Sequence, residues 1–209
     1  MPREELESGR EVSFRGPLET LDIWVLNACE DSPRACTGRR ILRLGLGRDF
    51  RSFRGAPFGG VILDPLSPRP LCPALGPRAR DKGLLVIDCS WNQIRSRGRL
   101  PPELGRFPLR HALRVRLPLL IAGNPQHFGR WTELNTAEAV GAALYLLRGP
   151  SEAERFLRRF SFGWSFLQAN GERLRRYYQE AITEDDVLTL ERQEFQRPEA
   201  DPVEGSATG

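Results

Sequence analysis

The longest clean pattern of apolar and polar positions runs from Leu117 to Leu147. An apolar run, Leu117 to Ala122, carries Pro118 near its start and stops at Gly123-Asn124-Pro125. A short apolar run ending in such a loop predicts a buried strand that enters a turn. Beyond the loop, Asn135 and Glu138 have the offset of a capping box, and Val140, Ala143, Leu144 and Leu147 follow at helical spacing. The segment therefore predicts strand, polar loop and capped amphipathic helix. Open α/β folds place ligands at such junctions, because backbone N–H groups and loop polar groups are free there. A plain core element with a solvated loop would give the same pattern.

Elsewhere the chain shows strands first and helices last. Met1 to Glu19 is uneven and polar, a loose leader; Leu21 to Cys29 reads as a strand. Asp31, Ser32 and Pro33 make a turn, after which Thr37 is placed to cap a short helix with Ile41, Leu42 and Leu44 inward. Arg48 to Gly60 reads as a loop, Gly60 to Leu63 as a second strand, and Asp64 to Arg80 as a proline-rich connection with one turn near Pro73 to Leu75. Gly83 to Asp88 is nearly all apolar, as a central parallel strand should be, and ends in Asp88-Cys89-Ser90-Trp91. A carboxylate and an aromatic at a buried strand's carboxyl end suit ligand work. Asp88 as a helix cap and Trp91 as core is the competing reading. Asn92 to Val115 is basic and turn-rich. Ser151-Glu-Ala-Glu154 has capping-box form ahead of a helix over Glu152–Phe160. A further helix spans Phe166–Glu180, with Leu167, Leu174 and Tyr177 or Tyr178 inward, and the chain from Asp185 turns acidic, with disorder expected from about Arg197.

Charge changes this picture. The net charge is +4, yet residues 183–209 carry eight acids against two arginines, and Lys82 is the sole lysine. Residues 11–182 are correspondingly basic. Arginine's planar fork suits phosphate recognition, and a basic core favours a polyanion, most simply nucleic acid. A GC-rich genome would also explain arginine in place of lysine, though not the excess of positive charge. No apolar stretch is long enough to span a membrane and no secretory signal is visible, so a cytoplasmic protein is expected. Cys29, Cys36, Cys72 and Cys89 form no CxxC pair, and His111 and His127 lie far from them in sequence, so no metal is expected and the thiols should be reduced.

Several blocks together resemble one family. These are Asp31 to Leu46 with Pro33 and Cys36-Thr37-Gly38, Leu84 to Trp91 with Asp88-Cys89-Ser90-Trp91, and Arg116-Leu117-Pro118 with Ala122-Gly123-Asn124-Pro125 and Phe128-Gly129. Ala137-Glu138-Ala139 within Asn135–Leu146, and Gly163, Phe166 and Asn170 within Phe160–Tyr177, complete the series. In order and spacing, from about Asp22 to Tyr178, the chain resembles the aminocarboxypropyltransferases that modify small-subunit ribosomal RNA. Four features depart from them: a longer segment between Trp91 and Arg116, Gly123 for a common alanine, Phe128 for a common tyrosine, and Cys29-Glu30 for a more acidic pair.

The resemblance implies an α/β, SPOUT-like fold with an α/β N-terminal part (21–92), a mostly helical C-terminal part (93–182) and a deep trefoil knot. A leader (1–20) and an acidic, partly disordered tail (183–209) would flank them. It implies transfer of the 3-amino-3-carboxypropyl group of S-adenosylmethionine, a co-substrate, to a uridine or pseudouridine nitrogen. The protein would act as a monomer on small-subunit ribosomal RNA or a pre-ribosomal particle. By position, Thr37, Ile87, Trp91, Leu120 and Asn135 would hold the cofactor. Asp88, with Glu138 second, would take the base proton, although Glu138 fits a capping box equally well. The RNA would lie over Arg39, Arg40, Arg43, Arg78, Arg80, Lys82, Arg158 and Arg159. A SPOUT-like methyltransferase and a non-catalytic RNA-binding assembly factor remain the alternatives.

Overall fold

The structure, a computed structural model, describes residues 21–28, 36–54 and 57–196. The leader, the Cys29-Glu30 pair, the Asp31–Pro33 turn and the segment from Arg197 onward lie outside the described residues. Five parallel strands form one sheet: β1 (Ile23–Asn27), β2 (Arg48–Asp49), β3 (Val61–Leu63), β4 (Leu84–Asp88) and β5 (Leu113–Val115), in the order β2-β1-β4-β3-β5. The apolar run LLVID takes the centre, because a strand covered on both faces needs apolar residues throughout. In β4, Leu84 and Val86 join the larger core while Leu85 and Ile87 join a second one. The first core is closed by helices. The second is closed by an aromatic loop layer in which Phe50 meets Phe53, Phe58 and Phe107 at centroid distances of 5.1–5.3 Å.

The helices are α1 (Thr37–Arg43), α2 (Gly76–Lys82), α3 (Trp91–Arg97), α4 (Thr136–Arg148), α5 (Pro150–Leu157), α6 (Gly163–Glu180) and α7 (Glu184–Gln196). The capping box of α4 is formed: Asn135 Oδ1 accepts the Glu138 N–H at 3.0 Å and Glu138 Oε2 accepts the Asn135 N–H at 2.9 Å. Helix α4 is apolar nearly all round because the sheet lies on one side and α5 and α6 on the other. Residues from Leu21 to Leu190 contribute to the one large core, so both halves of the chain share it.

Several local expectations are corrected. Leu117–Ala122 is not a sheet strand; the strand lies earlier, at β5, and only an isolated bridge pairs Ile121 with Trp131. The backbone there bonds residues 129–132 along one edge and side chains along the other. Asn170 accepts the Ile121 N–H at 2.8 Å and donates to its carbonyl at 2.7 Å, and Glu191 accepts the Leu119 N–H at 3.2 Å. The proline-rich connection holds helix α2, since Pro77 falls in the first turn, where no N–H is needed. Cys36, not Thr37, caps α1, its sulfur accepting the Arg39 N–H at 3.3 Å. The Ser151 box does not form; α5 starts from Gly149 at φ 99° with Pro150 in its first turn. Helix α6 begins at Gly163, with Tyr177 rather than Tyr178 buried. The acidic stretch opens with α7, whose Val187, Leu190 and Glu191 are buried.

Candidate active site

At the carboxyl ends of β3 and β4 lies a cavity of about 540 Å³, within the range of small-molecule sites. Its apolar wall comes from Leu63, Val86, Ile87, Trp91 and Leu134. Polar groups enter from Thr37, Asp64, Asp88, Asn135 and Thr136. Trp91 is fixed by its indole N–H, which donates to the Leu134 carbonyl at 2.8 Å.

Asp88 ties three segments together at this point. Its Oδ1 accepts the Gly38 N–H at 3.1 Å and the Thr136 hydroxyl, and its Oδ2 accepts the Cys36 thiol at 2.8 Å. Asn27 in turn donates to Cys36 Sγ at 2.9 Å. Burial, and then the hydrogen bond to Asp88, push the Cys36 thiol up to about 11, so it stays a protonated donor at neutral pH. Gly38 is required here, because a Cβ on it would stand 2.5 Å from Asp88 Cγ.

The far wall is the irregular segment from Arg116 to Thr136. Side-chain carboxylates meet its backbone where no strand does, as buried N–H groups demand. Glu138 accepts from Gly123 N at 2.8 Å and Asn124 Nδ2 at 2.6 Å besides its capping bond. Burial raises the Glu138 pKa, while the Asn135, Asn124 and Gly123 donors oppose the rise. Glu191 of α7 holds Arg116 at 2.6 and 2.8 Å, and Arg116 lines the cavity. Thr132, also on the wall, has φ 62°, a left-handed backbone that a β-branched residue rarely adopts. Gly123 packs so closely on α6 that a Cβ would sit 2.5 Å from Phe166 N, which explains glycine at this position.

Of the residues singled out from sequence, Thr37, Ile87, Asp88, Trp91 and Asn135 meet at the cavity. Leu120 and Glu138 are fully buried and lie behind the wall. Arg40 reaches the carbonyl of Arg159 at 3.3 Å, which places α1 beside the end of α5. Arg78, Arg80 and Lys82 belong to α2, which leads into the amino end of β4, so they sit at the opposite edge of the sheet from the cavity. Sequence reasoning missed Arg95, Arg116, His127 and Arg130, which also line the cavity. They occupy loops and a short helix without periodicity, and only the surplus of arginine hinted at them. Among the described residues no group of three or more His, Cys, Asp or Glu is placed to hold a metal ion, and no helix is long and apolar enough to cross a membrane.

These features define an α/β protein with a nucleotide-cofactor-sized cleft at the carboxyl ends of a parallel sheet, the place where open α/β sheets bind such ligands. Residues 61–195 match the family model described as "Ribosome biogenesis protein, C-terminal". Curated relatives include the 16S rRNA aminocarboxypropyltransferase of Methanosarcina mazei, 38% identical over 75% of this chain and 86% of that protein. The enzyme of the same name from Methanopyrus kandleri is 39% identical over 80% and 94%. The 18S rRNA aminocarboxypropyltransferase of Schizosaccharomyces pombe is 32% identical over 86% of this chain and 58% of that protein. The solved SAM-dependent rRNA:acp-transferase Tsr3 of Vulcanisaeta distributa superposes with a TM-score of 0.65 at 30% identity, covering 84% of this chain and 98% of that one. The chain belongs to the family of ribosomal RNA aminocarboxypropyltransferases.

Proposed function

We propose that this protein transfers the 3-amino-3-carboxypropyl group of S-adenosylmethionine to a uridine or pseudouridine nitrogen of small-subunit ribosomal RNA, releasing methylthioadenosine. The observation that carries this reading is the cleft at the β4 terminus, where the Asp88 clamp and the Trp91 wall face the 116–136 segment. Its size and its mixture of apolar wall and polar groups fit a nucleoside carrying an amino-acid arm. When bound, the sulfonium supplies three activated carbons, of which the methyl is the least hindered. Selection of the propyl carbon is therefore a matter of orientation, and orientation can contribute several of the ~7–11 kcal/mol available to well-placed reactants. Ile87, Leu63, Val86 and Trp91 form an apolar surface that can bury the methyl. Thr37 and Asp88 offer a hydroxyl and a carboxylate to the charged arm, and the Asn135–Thr136 helix start closes the far side.

The RNA would approach over Arg39, Arg40, Arg158 and Arg159 on one flank and Arg95 and Arg130 at the mouth. The chain is read as a cytoplasmic monomer with the trefoil-knotted threading of SPOUT-like folds, in which the 116–136 segment and α4 would carry the knot. Calorimetric titration with S-adenosylmethionine, followed by chromatography of the released nucleoside, tests the proposal. Methylthioadenosine is expected. S-adenosylhomocysteine would replace it with methyl transfer, and absence of cofactor binding would leave an RNA-binding assembly factor.

A further inference from the structure

Attack by a base nitrogen requires that its proton leave, and the acids at the site are poorly free to accept it. Asp88 already accepts from Gly38, Cys36 and Thr136. Asp64 accepts the Leu66 N–H at 2.9 Å and faces Arg114 at 3.4 Å. Glu138 has no face on the cavity. His127 does. Its Nδ1 is joined to Glu133, and Arg95 and Arg130 both reach the same carboxylate, Arg130 at 3.2 Å. Burial alone would raise the Glu133 pKa, but the hydrogen bonds from His127 and Arg130 and the charge of Arg95 bring it below its ordinary value. A neutral imidazole that donates from Nδ1 to Glu133 carries its lone pair on Nε2, and the His127 Nε2 has no partner among the described residues.

We propose that His127 is the general base of the transfer and Glu133 its positioning residue; this rests on the reading above. The N–H bond of the target uridine or pseudouridine nitrogen breaks and its proton passes to His127 Nε2. The electron pair left on nitrogen forms the bond to the propyl carbon. The carbon–sulfur bond breaks with its pair staying on sulfur, which departs as neutral methylthioadenosine, and the imidazolium then returns its proton to water. An imidazole suits this task because its ordinary pKa lies near the working pH. Glu133 bonds His127 and is itself held by Arg95 of α3 and Arg130; the other charged or titratable groups lining the same cavity are Asp64 beyond β3, Asp88 of β4 with Cys89 after it, and Arg116 after β5.

The test compares the parent protein with His127→Gln, Glu133→Gln and, as control, His111→Gln, which lies outside the cavity and accepts from Arg110 at 3.0 Å. Turnover of the parent should rise with unit slope through an acid limb as pH increases. His127→Gln should lower kcat by ~10²-fold or more, the scale of general-base loss, and abolish that limb, with S-adenosylmethionine affinity unchanged. Imidazole nitrogen chemical shifts of the unliganded protein should report the Nδ1–H tautomer of His127, and a tautomer mixture in Glu133→Gln. Should His127→Gln keep both kcat and the limb while the parent releases methylthioadenosine, the base assignment falls and the transferase reading stands. A parent that binds no cofactor or releases no methylthioadenosine would overturn both.

Discussion

Gly38→Ala tests whether the Asp88 clamp builds the cleft. The new Cβ would stand 2.5 Å from Asp88 Cγ, 2.6 Å from its Cβ and 2.7 Å from Oδ2. Carbon atoms settle near 3.5–4 Å, so the carboxyl or the start of α1 must retreat by roughly 1 Å. Neither is free: Asp88 is the last residue of the central strand, and Gly38 is the second residue of α1, two after the Cys36 cap. Overpacking of this kind costs about 1–3 kcal/mol. Losing the 3.1 Å bond from Gly38 N to a carboxylate adds about 1.5–3 kcal/mol, and the better helix propensity of alanine returns up to about 1. A net loss of ~2–4 kcal/mol follows, together with at least a tenfold weaker isotherm for S-adenosylmethionine, because Thr37 and Asp88 both line the cavity. Urea unfolding with constant m-value and calorimetric titration measure the two. A variant that matches the parent in both would show that the carboxyl is not held where the structure has it, and the reasoning about the site would be wrong.

Other consequences are more local. Asp88→Asn keeps the oxygen that serves Gly38 and Thr136 and puts an amide against Cys36, so stability should fall by only ~1 kcal/mol while S-adenosylmethionine affinity falls more than turnover at saturating cofactor; unchanged affinity would remove Asp88 from the binding of the charged arm. Glu138→Gln must turn an amide N–H toward one of the donors Gly123, Asn124 or Asn135, a loss of ~2–4 kcal/mol by thermal unfolding, and a smaller change would mean that the buried group is already neutral. Glu133 has a depressed folded pKa, so its contribution is present above the ordinary 4.5 and is lost as pH falls through the lower folded value; amide protection factors in residues 124–133, corrected for the intrinsic exchange rate, should fall there. RNA affinity should fall with salt at a slope of about 0.7–0.9 per phosphate contact, and a flat response would contradict an arginine-lined approach.

How much of this was legible in the sequence depended on periodicity. β4 and α4 announced themselves, since an all-apolar run and a capped helical repeat each admit one environment. α7 was less visible because its acids, Glu184, Asp185 and Asp186, read as a solvated tail while its buried contacts rest on Val187, Leu190 and Glu191. Of the cavity lining, Thr37, Asp88, Trp91 and Asn135 sit at element ends, where the sequence pattern points to them. No such pattern marks His127 and Arg130, because irregular backbone carries no repeating signal and Thr132 with its positive φ has no marker in its residue type.

The reason the site is irregular also explains how it is held. A strand at 117–122 would satisfy its N–H and C=O groups within the sheet but would present only alternate side chains to the cleft. The structure instead pairs Leu120 and Ala122 with residues 129–132 and gives Leu119, Ile121 and the adjoining Gly123 to Glu191, Asn170 and Glu138, from three helices. Each such bond is buried or half-buried and replaces a ladder bond, so truncating any one should loosen the same wall. Asn170→Ala would leave both the N–H and the carbonyl of Ile121 without their partner, although the residue is fully buried in α6 and does not line the cavity. Two unmet backbone groups correspond to ~2–6 kcal/mol, and cofactor affinity should drop with them. Asn170→Asp keeps the acceptor and loses the donor, so it should sit between. If Asn170→Ala unfolds at the parental urea concentration and binds S-adenosylmethionine as the parent does, side-chain support of the wall is dispensable and the cleft owes its shape to the sheet alone.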